Sequence, residues 1–153
     1  MLPIKKILCP VDFSEPSYEA LKVAEELAGQ FSSELSVVHV VREVSSSLYG
    51  PEFSDFDVDA YQEELEASAK VKLKEVVEER LAKYLKVSQV IMRGKAADRI
   101  VEISDEESFD LIVIATHGQT GWRHFVFGSV TEKVVRLGQC PVLTIHAPKR
   151  EGD

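Results

Sequence analysis

The chain has 153 residues, of which 44% are hydrophobic and 29% are charged, a size and composition typical of one globular domain. The formal net charge is −8, and the basic residues form no stripe, which argues against nucleic acid and anionic membranes as partners. No run approaches the roughly 18 consecutive apolar residues of a membrane helix, and the N-terminus lacks the pattern of a signal peptide. We therefore expect a single cytoplasmic domain over residues 1–153.

Strand and helix patterns alternate along the chain. Apolar runs rich in β-branched residues predict strands, and apolar residues spaced three and four apart predict helices. Leu111–Ala115 is apolar throughout, which indicates a strand buried on both faces of a parallel sheet. The expected elements are, in chain order, a strand over 4–9, a helix over 14–29, a strand over 35–41, a helix over 58–86, a strand over 87–92, a helix over 96–104, a strand over 111–115, a helix over 129–136 and a strand over 141–146.

This alternation predicts a doubly wound α/β fold, with a mainly parallel five-stranded sheet in the strand order 3-2-1-4-5 and helices on both faces. Residues 42–57 contain three serines in succession, a Gly-Pro pair and several acids, which predicts a mobile acidic loop. From Glu43 to Glu66 there are eight acidic residues and no basic one, a pattern typical of a solvated surface.

Ligands of open parallel sheets bind beyond the carboxyl ends of the strands, and two segments there carry suitable residues. Pro10-Val11-Asp12 follows the first strand, and a glycine-containing loop runs from Ala115 to the last helix. From Gly128 to Thr131 we expect unpaired backbone N–H groups, where the helix dipole attracts an anion. The hydroxyl groups of Ser129 and Thr131 would add donors.

The residues alone leave other interpretations open. The loop is neither a Walker A motif nor a Rossmann GxGxxG, so its glycines could serve only as turns and Ser129 only as a cap. Asp12 either caps the first helix or accepts hydrogen bonds from a ribose or base. His117 either shapes the loop or orients a water molecule. His39 and His146 lie in strands without evident partners, and neither a catalytic set nor a metal pattern is apparent.

Four segments together resemble the universal stress protein family over nearly the whole chain. They are Lys6–Ser14, Asp110–Gly118 with Gly121, Gly128–Val134 and Cys140–Leu143. ATP-binding members of that family carry the pattern G-x2-G-x9-G-[S/T]. Here the second glycine is Gly118 and the pattern closes on Gly128-Ser129, but Ala115 replaces the first glycine. The resemblance also implies a fold like that of the adenine-nucleotide α-hydrolases.

The resemblance implies a site for ATP, or for AMP or ADP, with Mg²⁺ or Mn²⁺ as a companion ion that the protein alone does not bind. From the base and ribose to the phosphates, the implied nucleotide-binding residues are Pro10, Val11, Asp12, Val40, Ile114, Ala115, Gly118, Gly128, Ser129, Val130 and Thr131, with His117 and Arg123 as further phosphate contacts.

The family resemblance further implies a homodimer formed through the last strand, whose edge residues are Val142, Leu143, Thr144 and Ile145. The leading hypothesis is an adenine-nucleotide-binding protein that acts in stress response or signalling. One alternative is a nucleotide-free interaction module of the same fold, which Ala115 and the acidic segment favour. Another is a slow ATP-hydrolysing enzyme that depends on Mg²⁺ and on His117 or Asp12.

Overall fold

The computed structural model describes residues 2–48, 50–53, 55–118 and 127–148. Five strands alternate with four helices in these ranges, as the sequence predicts, and two short 3-10 turns, Ser46–Leu48 and Pro51–Phe53, follow the second strand. The elements are β1 (Lys6–Pro10), α1 (Glu15–Phe31), β2 (Glu34–Val41), α2 (Val58–Arg80), β3 (Val87–Arg93), α3 (Ala96–Glu106), β4 (Leu111–Ala115), α4 (Ser129–Leu137) and β5 (Val142–Ile145).

The strands form one parallel sheet in the order β3-β2-β1-β4-β5, which confirms the predicted topology. The strand order reverses between β1 and β4, and these two strands pair only at Ile7 with Leu111 and at Leu8 with Ile112. Because the strands are parallel, their carboxyl ends meet at one edge of the sheet. That edge is therefore where a ligand site is expected.

Helices cover both faces of the sheet. Successive residues of a strand point to opposite faces, so Ile7 packs in one hydrophobic cluster and Leu8 in the other. The first cluster includes Leu21 of α1 and Leu73 of α2, and the second includes Val134 of α4. No helix in the described ranges is both long and apolar enough to span a membrane.

The predicted end of α2 near Lys86 is wrong, because the helix ends at Arg80. Leu81 leaves the helical conformation with a ψ of 144° and turns into the core, where it is 7% exposed. The next backbone N–H, of Ala82, donates to Oε1 of Glu25 on α1 at 2.7 Å. This contact between distant segments replaces a helical hydrogen bond, so periodicity along the sequence could not reveal it.

Gln62 of α2 holds the chain that leaves β2. Its side chain is a buried polar group, and the residue is 2% exposed. Oε1 accepts the N–H of Val44 at 2.7 Å, and Nε2 donates to the carbonyl of Arg42 at 3.3 Å. The first residues of the acidic loop are therefore fixed against a helix. The predicted mobility of the loop as a whole stays a prediction.

Asp110 fixes the start of β1 against the start of β4. Its Oδ2 accepts the backbone N–H groups of Lys5 at 2.8 Å and Lys6 at 2.9 Å. These hydrogen bonds favour the ionised carboxylate and hold the pKa of Asp110 below its usual value.

This lowered pKa predicts a pH-dependent contribution to stability. Since the folded pKa lies below the unfolded one, the contribution is fully present above about pH 4 and is lost as the pH falls through the folded value. We expect Asp110→Asn to lower Tm by about 2–4 °C at pH 7, with the difference from the wild type shrinking below about pH 4. Calorimetry of both proteins across this pH range measures the difference in Tm. Glu75→Gln, on the exposed face of α2, is the control, and a difference that stays constant with pH would contradict the expectation.

Candidate functional site

A cavity of about 430 Å³ opens where β1 and β4 end, a volume in the usual range for small-molecule sites. The structure brings all of the predicted nucleotide-binding residues together around it, and His117 also lines it. Arg123 lies outside the described residues. The predicted residues that line the cavity are Pro10, Val11, Asp12, Val40, Ile114, Ala115, Gly118, Gly128, Ser129, Val130 and Thr131.

Asp12 organises the turn between β1 and α1. Ser14 is the N-cap of α1, and its Oγ accepts the N–H of Ser17 at 3.3 Å. Oδ1 of Asp12 in turn accepts the N–H of Ser14 at 3.1 Å and also the Ser14 hydroxyl. Asp12 therefore holds the capping residue instead of capping the helix itself.

The other carboxylate oxygen of Asp12 lies against Gly118 on the far side of the cavity. A methyl carbon added at Gly118 would overlap Oδ2 of Asp12. The requirement for glycine here is spatial, since Gly118 does not have a positive φ. The contact links the loop after β1 to the loop after β4.

The start of α4 differs in two respects from the sequence prediction. The N–H of Gly128 is not bare, because it donates to the carbonyl of Thr116 at 2.6 Å. The hydroxyl of Thr131 donates to the carbonyl of Ala115, also at 2.6 Å, so it is not a donor for a ligand. Since β1 pairs with β4 only as far as Ile112, these carbonyls lie beyond that pairing and take their donors from α4.

Three amides remain at this helix end. Among the described residues, the backbone N–H groups of Ser129, Val130 and Thr131 have no acceptor, and no side chain caps the helix at Gly128. The first intrahelical bond runs from Glu132 N–H to the Gly128 carbonyl at 2.9 Å. An α-helix leaves such donors unpaired at its N-terminus, where its dipole favours negative charge. This end of the cavity therefore suits an anion.

Ala115 fits its position without strain. It is the last residue of β4, 6% exposed, and its φ is not positive. The backbone there does not need the freedom that a glycine would give. The departure from the glycine pattern therefore leaves the strand end intact.

Other cavity-lining residues were missed by the sequence analysis. They are Ser17, Val38, His39, Arg42, Ala96 and Ile100. Arg42 directly follows β2 and Ala96 begins α3 after β3, so the rule that places sites at carboxyl ends would have found both. Neither the charge of Arg42 nor the small size of Ala96 marks the residue in the sequence as part of a binding site.

His39 has partners, contrary to the prediction. Its Nδ1 lies 2.8 Å from the carbonyl of Val11, which can only accept, so Nδ1 carries the proton. Its ring also packs on Phe13 with 4.2 Å between ring centroids. Burial disfavours the charged form and lowers the pKa of His39. A neutral imidazole thus supports the wall of the cavity.

A larger groove of about 1440 Å³ adjoins the cavity. The two share the lining residues Asp12, His39, Val40, Arg42, Ala96 and Val130. Acidic side chains from the segment after β2 line this groove together with Lys95. Within the described ranges, no group of three or more His, Cys, Asp or Glu residues is placed to hold a metal ion. The acidic segment therefore borders the site, and its described carboxylates do not form a metal-binding cluster.

Comparisons with known proteins match this chain to one family. Residues 3–146 match the model of the universal stress protein family. Universal stress protein MJ0531 of Methanocaldococcus jannaschii is 35% identical over 149 residues, covering 96% of this chain and 85% of the relative.

Solved structures show the same similarity. The structure of MJ0577, from the same organism, superposes with a TM-score of 0.81 at 31% identity and covers 96% of this chain and 99% of its own. A universal stress protein from Archaeoglobus fulgidus, solved in complex with dAMP, has the same fold with a TM-score of 0.62 at 22% identity, covering 94% of this chain and 98% of its own. With the family match over nearly the whole chain, the β3-β2-β1-β4-β5 sheet and the cavity at its switch point, this chain belongs to the universal stress protein family.

Proposed function

We propose that this protein binds an adenine nucleotide, ATP or one of its products AMP and ADP, and acts in stress response or signalling. The observation that carries the proposal is the set of three amides at the start of α4, which open onto a cavity large enough for a small molecule. The related protein from Archaeoglobus fulgidus was solved with dAMP, which supports an adenine nucleotide as the ligand class.

The phosphates would lie at the start of α4. The amides of Ser129, Val130 and Thr131 supply hydrogen bonds, the helix dipole supplies a favourable field, and Ser129 adds a hydroxyl. The chain as a whole carries a net charge of −8, so long-range attraction does not favour an anion. Local donors must therefore provide the affinity. A divalent ion, Mg²⁺ or Mn²⁺, would be bound through the phosphates and would offset their charge.

The base and ribose would lie at the opposite side, near β1 and β2. Val11, Val40 and Ile114 provide apolar contacts for a planar base. Asp12 lines the cavity, and its carboxylate would accept a hydrogen bond from a ribose hydroxyl. This division into an apolar end and an amide-rich end matches the two chemically different halves of a nucleotide.

We also propose a cytoplasmic, single-domain protein. Cys9 and Cys140 are both free thiols, as expected in a reducing compartment. Burial raises the pKa of Cys9 far above its usual value and raises the pKa of Cys140 to about 11. Both therefore stay protonated and unreactive near neutral pH.

The outer edge of β5 is the proposed homodimer contact. The carbonyl of Pro141 accepts the N–H of Ile112 in β4, and that of Ile145 accepts the N–H of Thr116 just after β4, each at 2.9 Å. Because peptide groups alternate in direction along a strand, those of Val142 and Thr144 face away from β4. No other strand of the described sheet covers them. An exposed edge of this kind can pair with a second copy.

The first prediction tests the phosphate end. Ser129→Asp places a negative charge beside the open amides, so we expect ATP to bind at least about tenfold more weakly, as measured by calorimetric titration with Mg²⁺. Ser129→Asn has nearly the same size without the charge and is the control. Equal affinity in the Asp and Asn variants would contradict the placement, and absence of ATP binding in the wild type would contradict the proposed function. Phosphate release in the same samples would reveal turnover.

The second prediction tests the contact across the cavity. Gly118→Ala places a methyl carbon where Oδ2 of Asp12 lies, so the carboxylate must move against its hydrogen bond to Ser14, and we expect the free energy of unfolding to fall by about 1 kcal/mol. In an Asp12→Ala background the same change should cost at least about 0.5 kcal/mol less. Urea unfolding of the four proteins measures this coupling. Strictly additive effects would show that the two residues do not meet.

The third prediction tests the edge of β5. Thr144→Pro removes an outward-facing N–H while leaving the bonds to β4, so the fold should survive. Light scattering after gel filtration should show the mass falling from two chains to one. Thr144→Val keeps the N–H and should remain dimeric. A dimeric proline variant would place the contact between subunits elsewhere.

A further inference from the structure

The groove beside the cavity carries two basic side chains that belong to no ion pair. Arg42 directly follows β2 and lines both the groove and the cavity, and Lys95 directly precedes α3 and lines the groove. Within the part of the chain that the structure describes, neither the guanidinium of Arg42 nor the ammonium of Lys95 forms a hydrogen bond or an ion pair. Asp98, three residues beyond Lys95, pairs with Lys133 instead, at 2.6 Å. Both positive charges are therefore available to a ligand.

The sheet places these two residues side by side. Val41 and Arg93 are partners in the parallel register of β2 and β3, and the N–H of Gly94 donates to the carbonyl of Val41 at 3.0 Å. Arg42 follows Val41, and Lys95 follows Gly94. Neighbouring strands lie about 5 Å apart, so two long side chains at their ends can reach the same phosphate group.

The backbone of Arg42 is held by a buried side chain. Gln62 of α2, which is 2% exposed, donates from Nε2 to the carbonyl of Arg42 at 3.3 Å and accepts the N–H of Val44 at 2.7 Å. The guanidinium thus extends from a fixed point of the cavity wall. Less conformational freedom is lost when such a side chain binds a ligand than when its backbone must also become ordered.

The acidic side chains of the groove lie largely on the other side of the sheet. Asp57 and Asp59 stand at the start of α2, which packs with α1 in the first hydrophobic cluster, whereas α3 and α4 pack in the second. Glu66 accepts a hydrogen bond from Nε of Arg93 at 2.5 Å, and together with the charges of Glu43 and Asp59 it raises the pKa of Arg93. Arg93 therefore offsets part of the acidic wall, and the two unpaired cations remain beside the cavity.

The chemistry of a nucleotide limits which of its groups can enter the groove. In the proposed binding mode the base contacts Val11, Val40 and Ile114, and the 5′-phosphates lie at the start of α4. A substituent on the 2′ or 3′ oxygen of the ribose leaves both of these ends in place. Asp12, the expected ribose contact, lines the cavity and the groove alike, so such a substituent can pass from one into the other.

We propose that Arg42 and Lys95 form a second phosphate subsite, and that the preferred ligand is an adenine nucleotide with an additional phosphate group on its ribose. The inference rests on the proposed nucleotide site. Arg42 offers a planar fork of donors that fits two phosphate oxygens, and Lys95 adds a second positive charge. Together they offset the negative charges of the additional phosphate and of Asp12, so that this phosphate strengthens binding.

Calorimetric titration of the whole chain with AMP, adenosine 3′,5′-bisphosphate and adenosine 2′,5′-bisphosphate tests the subsite. We expect the wild type to bind one of the bisphosphates at least about tenfold more tightly than AMP. Arg42→Gln and Lys95→Gln should each reduce this preference at least about threefold. Lys83→Gln removes the same charge from an exposed position before β3 and should leave the preference unchanged. All three side chains are exposed, so the variants should fold.

Equal affinity of the wild type for AMP and for both bisphosphates would overturn the inference and leave the proposed function standing. A preference that persists undiminished in Arg42→Gln and in Lys95→Gln would overturn it as well, because the additional phosphate would then lie elsewhere.

A titration with inorganic phosphate, followed by the backbone amide signals in NMR spectra, separates the two claims. We expect the Lys95 signal to shift in the wild type and not in Arg42→Gln, and Ser129→Asp to abolish only the shift of Val130. If the wild type binds neither ATP nor AMP, the proposed function fails. An Arg42-dependent shift of Lys95 would then still support the second subsite, and its absence would overturn that too.

Discussion

Two carbonyl groups at the end of β4 govern the architecture of the site. β1 stops pairing with β4 at Ile112, so the carbonyl of Ala115 has no donor on β1, and the carbonyl of Thr116 lies beyond the end of the strand. The start of α4 supplies the donors, through the Thr131 hydroxyl and the Gly128 amide. Buried main-chain acceptors are costly to leave unpaired, so this requirement holds the N-terminus of α4 across the edge of the sheet. The amides that follow Gly128 then face the cavity.

The same requirement divides the polar groups between the fold and the proposed ligand. The Gly128 amide and the Thr131 hydroxyl serve the fold, and the next amides remain for an anion. The two carboxylate oxygens of Asp12 also have different contacts, since Oδ1 accepts the N–H of Ser14 and Oδ2 lies against Gly118. The open amides are neighbours of the groups that bond β4 in the same first turn of α4. They are therefore held in place, because they cannot move unless the bonds to β4 break.

The sequence predicted more of the fold than of the hydrogen bonding. Strand order and the group of cavity residues could be predicted, because parallel strands bring their carboxyl ends together whatever the details. The end of α2 was not predictable, since it depends on Glu25, more than fifty residues away. The engagement of the Gly128 amide also escaped prediction, because its acceptor, Thr116, is fixed only once β4 is in the sheet. His39 appeared unpartnered for the same reason, since Val11 approaches it only once β1 and β2 are paired.

Hydrogen bonds from Gln62 anchor the start of the acidic segment beside the cavity. Gln62 grips the chain at Arg42 and Val44, and Asp57 caps α2 by accepting the N–H of Ala60 at 3.0 Å. The residues between these two fixed points can lengthen, shorten or change composition without moving the wall that Val40 and Arg42 form. Evolution could therefore tailor this stretch, and the groove that it lines, while leaving the amides at the start of α4 in place.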